Sequence, residues 1–239
     1  MAFLIEVANL SFSYPRGGFR LDIPSWVVPA GQSVALVGPS GSGKTTLLHL
    51  LAGIYLPQRG SVRVGQMNLA GLSERARRRF RLASLGLVFQ EFELLDHLTV
   101  FENLLIPCRL GKRLPRAAEK RQTARYLAER LGLSDKLDRY PRALSQGERQ
   151  RVAVGRALLL DPRLILADEP TGNLDPAAKQ QVLSLFLERV QSGAATLIVA
   201  THDHQLLLYF HQVLDITQLV SWAAAGHDKA PLPRPLDVR

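Results

Sequence analysis

The stretch Gly38-Pro39-Ser40-Gly41-Ser42-Gly43-Lys44-Thr45 decides the fold of this chain. It matches the pattern G-x-x-x-x-G-K-[ST], whose glycines let successive backbone N–H groups turn towards a polyphosphate. The apolar run 33–37 before it predicts a buried strand, and the run 46–52 after it predicts a helix that Gly53 ends. Strand, loop and helix together predict a phosphate-binding loop, because the helix N-terminus adds positive potential at the anion site.

Three side chains of this loop have expected roles that follow from their chemistry. Lys44 is expected to reach the β- and γ-phosphates of a nucleotide, and the hydroxyl of Thr45 is an expected ligand of Mg²⁺. Thr46 adds a second hydroxyl to the same loop. The alternative is a glycine-rich turn that binds nothing, and the lysine, the threonine and the flanking elements all argue against it.

The bulk composition limits the class of protein. The 239 residues are 46% hydrophobic and suffice for one large α/β domain, or for one domain with a subdomain. No apolar run approaches the roughly 18–20 residues of a membrane span, and no basic-then-apolar leader is present, so we expect neither a membrane-crossing segment nor export. The single cysteine, Cys108, makes no internal disulfide, suits a reducing compartment and is read as a small buried hydrophobe.

The net charge of +9 raises the question of an anionic partner. The positive residues are scattered apart from one cluster, which consists of Arg75, Arg77, Arg78, Arg79 and Arg81. No aromatic residues are interleaved with these arginines, so we expect no specific nucleic-acid partner. The cluster predicts a solvated helix face, near anionic headgroups.

A small β layer precedes the phosphate loop. The segments 3–7 and 10–14 predict two short strands, and the segment 19–28 predicts a further extended stretch. We expect these strands to pair antiparallel. Tyr14 ends the second of them, and its position alone leaves two roles open, namely stacking on a nucleotide base and packing within the strand.

The pattern changes between about residues 91 and 160, where apolar residues recur at helical spacing. These residues are Leu98, Phe101, Leu104, Leu105, Ala124, Leu127, Ala128 and Leu131. Pro107 and Pro115 interrupt the first part, so we expect a helical subdomain inserted between core strands. Its last helix opens at Ser145-Gln146-Gly147-Glu148, where Ser145 and Glu148 form a capping-box pattern.

Apolar runs predict the other strands of the core, and chemically active side chains follow them. The runs 85–89, 164–168 and 196–200 end at Gln90, at Asp168-Glu169 and near His202. In doubly wound sheets, ligands bind at the carboxyl ends of parallel strands, where the phosphate loop also lies. Asp168 suits Mg²⁺, and Glu169 suits a base that polarises water. His202 and Gln90 suit contacts to the γ-phosphate, the water and the metal.

The predicted fold class is therefore α/β, with a P-loop NTPase parallel-sheet core, an N-terminal antiparallel β subdomain and an inserted helical subdomain. We assign residues 1–222 to this domain, with the helical subdomain at about 91–160. Residues 223–239 hold prolines among charges and are expected to form a disordered tail. Asp175 followed by Pro176 predicts a helix start after the Asp168-Glu169 strand.

The order of these motifs resembles that of an ABC-transporter ATPase subunit over roughly residues 2–220. The matching motifs are the loop of Lys44, Gln90, 144–148, 168–169, Asp175 and His202. The segments 88–90, 98–103 and 167–175 resemble most the branch that serves lipoprotein release, macrolide export and cell division. Tyr14 falls where that family places its adenine-stacking aromatic residue.

The resemblance implies a head-to-tail dimer with ATP between two subunits. Ser145 and Gly147 of one subunit would contact the γ-phosphate bound by the other subunit, and Asp175 would link the two sites. Gln146 departs from the family pattern, which has glycine there, so the approach of the backbone to the phosphate is in question. Taken alone, the Ser145 motif would only cap a helix.

The resemblance also implies a function. ATP and Mg²⁺ are the expected cofactors, and the expected partners are membrane permease subunits and a second ATPase subunit, as a homodimer in the ATP state. The chain would lie peripherally on the cytoplasmic face of the cell membrane and drive export of lipid, lipoprotein or drug. Three alternatives are signalling to an extracytoplasmic regulator, as in cell-division relatives, a soluble ATPase acting on DNA or ribosomes, and a small-molecule kinase, which would not explain the Ser145 motif.

Overall fold

The structure is a computed structural model that describes residues 3–15, 18–110 and 117–220. The predicted disordered tail at 223–239 and Pro115 lie outside the described residues. In the described part, the strands are β1 (Phe3–Ser13), β2 (Arg20–Pro29), β3 (Ser33–Val37), β4 (Arg59–Val64), β5 (Met67–Asn68), β6 (Leu85–Val88), β7 (Leu164–Asp168), β8 (Thr196–Ala200) and β9 (Gln212–Asp215). The α-helices are α1 (Lys44–Leu51), α2 (Glu74–Ser84), α3 (Val100–Leu104), α4 (Ile106–Leu110), α5 (Ala117–Arg130), α6 (Gln146–Leu158), α7 (Pro176–Gln191) and α8 (Ile216–Leu219).

The strands form two sheets. One sheet is antiparallel with the order β2-β1-β4-β5, and the other has the order β6-β7-β8-β3-β9 with every neighbouring pair parallel. The predicted parallel core and the antiparallel layer before it are both confirmed. Because β3 precedes the phosphate loop and lies beside β8 and then β7, the residues that follow these strands meet at one edge.

The parallel sheet is buried on both faces, which explains its nearly continuous apolar strands. Leu164 and Leu166 of β7 pack in the cluster shared with α1 and the antiparallel sheet, whereas Ile165 and Ala167 pack against α6 and α7. No side chain in the middle of β7 is therefore free to reach a ligand. Functional groups have to come from the strand ends.

The N-terminal segment differs from the expectation of two short strands. It is one strand, β1, which pairs with β2 on both sides of Asn9, through Ala8 with Ser25 and Leu10 with Ile23. Asn9 has a positive φ of 47°, and the register with β4 shifts between Ala8 and Ser11. The polar residue therefore marks a bulge within a continuous strand, where an extra residue bends the strand without ending it.

The arginine-rich helix, α2, is only partly the solvated face that the sequence predicted. The side chains of Arg77 and Arg81 are 11% and 19% exposed, and they donate to the carbonyls of Leu72 and Gly53. Phe80 on the same helix is buried. The expectation was wrong for these two arginines because a long side chain can bury its stem while its guanidinium bonds to backbone.

Helices α3 to α6 lie between β6 and β7 in the chain. Thr99 caps α3 in a capping box with Glu102. Leu98 therefore lies before this helix, although its spacing had predicted a helical position. The buried amide of Asn103 bonds to the backbone of Leu95 and Leu98 and holds the preceding loop.

Cys108 is half-buried, and burial raises the pKa of its thiol, which fits an unreactive side chain. None of the helices in the described ranges is long and apolar enough to cross a membrane.

Candidate active site

The phosphate loop connects β3 to α1, as the sequence predicted. Gly43 caps the helix with φ 101° and ψ 11°, in the left-handed region. A Cβ at this position would also come within 2.7 Å of Cζ of Phe19. Glycine is therefore required both by the backbone conformation and by the ring that packs over the loop.

The side chains of the loop leave polar groups available to an anion. Nζ of Lys44 donates to the carbonyls of Gly38 and Pro39, at 2.8 and 3.0 Å, so the ammonium group is held at the loop. The hydroxyl of Ser42 is buried and has no hydrogen-bond partner among the described residues. An unpaired buried hydroxyl is costly, and it fits a loop built to bind phosphate oxygens.

The first residues of α1 contact the end of β7. Oγ1 of Thr45 donates to Oδ2 of the buried Asp168 at 2.5 Å. A hydroxyl and a carboxylate are hard oxygen ligands of the type that Mg²⁺ takes beside phosphate groups. The residues present therefore fit Mg²⁺.

Glu169 adopts a strained conformation at the end of the same strand. Its φ is +49°, in the left-handed region, which costs a residue with a Cβ about 1–2 kcal/mol. Its backbone N–H donates to the Ala200 carbonyl at 2.9 Å, and its Oε1 lies 2.8 Å from Nδ1 of His202. The carboxylate is thus directed beyond the sheet edge and fixed from the neighbouring strand.

Gln90 follows β6 and is exposed. It lies in a turn that the bond from the Phe92 N–H to the Phe89 carbonyl closes, at 3.1 Å. Its side chain makes no hydrogen bond to another residue of the described ranges. The structure therefore joins Thr45 to Asp168 and Glu169 to His202 by direct bonds, while in the described ranges Gln90 makes no side-chain bond to any of them.

The motif at Ser145 starts α6, and the predicted capping box is confirmed. The Glu148 N–H donates to Oγ of Ser145 at 3.2 Å, and the Ser145 N–H donates to the Glu148 carboxylate at 2.7 Å. Ser145 and Gln146 are exposed. A Cβ at Gly147 would lie 2.8 Å from the Asn173 carbonyl, so glycine is needed for close packing within the chain.

Tyr14 and Asp175 each have a local role as well. Oη of Tyr14 lies 2.8 Å from Oγ1 of the buried Thr46, and its ring packs edge-on against Phe12. Thr46 thus bonds to Tyr14 beside the loop. Oδ1 of Asp175 accepts from the Ala178 N–H and caps α7, and this bond lowers the pKa of the exposed carboxyl.

Residues 21–172 match the sequence profile of the ABC transporter family. The chain belongs to this family. Its membership makes the chain an ATP-binding subunit that hydrolyses ATP within an ABC-type membrane complex.

Individual ABC relatives cover most of the chain. It is 40% identical to the lipoprotein-releasing system ATP-binding protein LolD of Hydrogenovibrio crunogenus, over 90% of this chain and 94% of that protein. It is 45% identical to LolD of Pseudomonas fluorescens, over 90% and 95% of the two chains. Its fold matches the dimeric bacterial ABC transporter cassette MJ0796 with a TM-score of 0.81 at 29% identity, over 88% and 93% of the two chains. The predicted fold class and the family resemblance are confirmed.

The ABC site contains one buried residue that sequence reasoning missed. The side chain of Gln150, on α6, donates to the Glu169 carbonyl at 3.2 Å and accepts from the Asn173 amide at 3.3 Å. It therefore braces the residue whose backbone is strained. Its position on the buried stripe of α6, four residues before Val154, was the available signal, because a buried amide needs partners.

A groove of about 530 Å³ opens on one side of this ABC domain. Its lining is largely apolar and includes Leu82, Leu87, Phe89, Ile106 and Leu110. Arg78 and Arg79 of α2 line it too, and both are exposed. The groove thus lies between the core, through β6, and helix α4, and it adjoins the turn that holds Gln90.

Proposed function

We propose that this chain binds Mg²⁺ and ATP at the edge of its parallel sheet and drives a permease that extrudes lipid, lipoprotein or drug. One observation carries the proposal, namely the meeting of the phosphate loop with Asp168 and of Glu169 with His202 at one sheet edge. The two relatives named as lipoprotein-releasing system proteins favour a lipoprotein or lipid as the cargo.

In this proposal the loop binds ATP and the strand ends hydrolyse it. Lys44 and the backbone N–H groups of the loop hold the β- and γ-phosphates. Thr45, Asp168 and Gln90 would hold Mg²⁺, which supplies positive charge against the phosphate oxygens when it is bound. Glu169 accepts the proton of the attacking water, and His202 keeps the carboxylate directed at it.

Tyr14 and a second subunit complete the site. The ring of Tyr14 provides the surface for the adenine. The second subunit, a copy of this chain, approaches with Ser145, Gln146, Gly147 and Glu148 of its α6. The hydroxyl of Ser145 accepts the capping bond and still has its own proton to donate to a γ-phosphate oxygen. Asp175, exposed at the start of α7, links the two sites across the dimer.

The groove is the proposed contact with the permease. A cytoplasmic helix of the permease would place apolar side chains on Leu82 and Leu110 and acidic side chains against Arg78 and Arg79. This contact holds the chain peripherally on the cytoplasmic face of the membrane. The ATP-binding domain comprises residues 1–222 in this proposal, with residues 91–160 as the helical subdomain that moves with the permease.

The experiment begins with capture of the complex. Tagged Glu169→Gln chain is purified with ATP from detergent-solubilised membranes, with Lys44→Ala as the control that is expected to bind nucleotide more weakly. We expect a permease with several membrane spans to co-purify, and reconstituted wild-type complex to raise its ATP turnover when lipoprotein is added. Stimulation by a periplasmic or cell-wall partner alone would contradict transport and support signalling.

A matched pair of exposed leucines tests the groove. Leu110 lines it and is 67% exposed, whereas Leu208 lies elsewhere and is 82% exposed. We expect Leu110→Glu to abolish co-purification of the permease while Leu208→Glu retains it. Equal recovery with both variants would exclude the groove as the contact.

A further inference from the structure

The segment after Gln90 is held in a conformation that its residues disfavour. Phe92 and Glu93 are consecutive residues with φ of +60° and +52°, both in the left-handed region. Neither is glycine, and such a conformation persists only where the surroundings impose it. The bonds within the segment are those of a tight turn, from the Phe92 N–H to the Phe89 carbonyl and from the Glu93 N–H to the Glu91 carbonyl.

A single side chain from α6 holds both strained residues. Nη2 of Arg156 donates to the Phe92 carbonyl at 2.7 Å, and Nη1 donates to the Glu93 carbonyl. Burial takes this guanidinium partly out of water and thereby lowers its pKa. The two carbonyls replace the hydration that the charged group loses. Two adjacent carbonyls match the two N–H groups of one planar guanidinium, which a lysine does not reproduce.

Arg156 also lies where three parts of the molecule meet. It lines the groove together with Phe89 and Glu93. It lies near the C-terminal end of α6, the helix that Ser145 begins. The carbonyls that it binds are two and three residues after Gln90. Arg156 therefore ties the turn that follows Gln90 to the end of α6.

We propose that Arg156 is a positioning residue that fixes the Phe92–Glu93 backbone and thereby holds Gln90 in the place where it serves ATP hydrolysis. The inference rests on the proposed function in that Gln90 belongs to the site. It goes further because it names Arg156 of α6 as the residue that keeps Gln90 in position.

The first test replaces Arg156 in the full chain with lysine, which keeps the charge, and with methionine, which keeps much of the length. Arg130→Lys is the matched control, since Arg130 also bonds through both terminal nitrogens, to Glu188, and ties α5 to α7. We expect Arg156→Lys to lower kcat and raise the half-saturating Mg²⁺ concentration, each by about tenfold. The KM for ATP should stay close to that of the wild type, as it should in Arg130→Lys.

A readout that does not depend on turnover follows the turn directly. Hydrogen exchange at the Phe92 amide reports whether the turn stays closed. We expect at least tenfold faster exchange in Arg156→Lys at this amide, with unchanged exchange in α6. If Arg156→Met fails to fold, the lysine variant still decides the question. Unchanged exchange at Phe92 in the lysine variant would overturn the proposed hold.

A double-mutant cycle decides whether the effect on activity runs through Gln90. Gln90→Ala alone should lower kcat, and adding Arg156→Lys to it should lower kcat by less than about threefold more, because residues that act through one group are not additive. Multiplied losses would show that Arg156 acts elsewhere and would overturn the inference. A Gln90→Ala variant with full activity would instead remove Gln90 from the proposed function, while the exchange experiment would still report on the contact itself.

Discussion

Nδ1 of His202 lies 2.8 Å from Oε1 of Glu169, and this contact joins the residues that follow two neighbouring parallel strands, β7 and β8. The His202 side chain is 75% exposed, whereas that of Glu169 is 18% exposed. The histidine therefore holds the carboxylate from the solvent side. The backbone of Glu169 is left-handed and is held by the hydrogen bonds of its own N–H and carbonyl groups. The direction of the carboxylate therefore depends on those bonds and on the contact with His202.

Replacing Glu169 with glutamine should separate ATP binding from hydrolysis. The amide keeps the shape of the side chain but no longer accepts a proton, so we expect kcat to fall by about 10²- to 10⁴-fold. The affinity for ATP should be unchanged, and the variant should accumulate as an ATP-bound dimer on size-exclusion chromatography. Full turnover in this variant would remove Glu169 from its proposed role.

Replacing His202 with alanine should leave Glu169 present but less well directed. We expect kcat to fall by about 10- to 100-fold with little change in the KM for ATP, because the loss affects positioning. His204 is the matched control, since it is exposed two residues later and makes no side-chain hydrogen bond to Glu169 in the described ranges. Equal losses in His202→Ala and His204→Ala would indicate a general disturbance of the loop.

Replacing Lys44 with alanine should weaken nucleotide binding itself. The variant loses the ammonium group that the Gly38 and Pro39 carbonyls hold at the phosphate loop. We expect an increase in Kd for ATP of at least about tenfold, as for a lost charge-assisted contact of about 1.5–3 kcal/mol. Titration with a fluorescent ATP analogue measures it, and Lys136→Ala, on a lysine outside the loop, is the control. An unchanged affinity would contradict the assignment of the loop.

The sequence was sufficient for those parts of the site that local patterns encode. The phosphate loop is contiguous, and Asp168, Glu169 and His202 follow apolar runs that only a buried strand explains. It was insufficient for Gln150 and Arg156, because each acts on a carbonyl that is distant in the chain.

Contacts between residues that are distant in the chain also explain where the predicted fold was wrong. The bulge at Asn9 reads locally as a strand break, since only pairing with β2 on both sides shows that β1 continues. Arg77 and Arg81 read as solvated, since the carbonyls that they bind lie beyond the helix.

Replacing Gln150 with leucine should impair catalysis and stability together. The Glu169 carbonyl would lose the donor that the buried Gln150 supplies, which costs about 1–3 kcal/mol, and the Asn173 amide would lose its acceptor. We expect a lower free energy of unfolding in denaturant titrations and a kcat reduced by about tenfold, since Glu169 is no longer braced. Gln181→Leu, on the exposed face of α7, is the control and should change neither quantity. A variant with normal kcat would limit Gln150 to packing.

The arginines of α2 should give the protein a measurable acid dependence through Glu74. This carboxylate accepts from Arg77, Arg78 and Arg81, which lower its pKa from 4.5 to about 2. A lowered folded-state pKa means that the stabilisation is complete above about pH 4.5 and is lost as the pH falls towards 2. The effect is small, because the pair partners are near the surface and salt screens them.

Comparison of the wild type with Glu74→Gln isolates this contribution. The difference in melting temperature between them should be constant from pH 7 to about pH 5 and should shrink below about pH 4.5, where the wild-type carboxylate takes up protons. It should also shrink in about 1 M salt. A difference that grows on acidification would mean that Glu74 is not ionised and paired with these arginines, and that α2 is held by its backbone contacts alone.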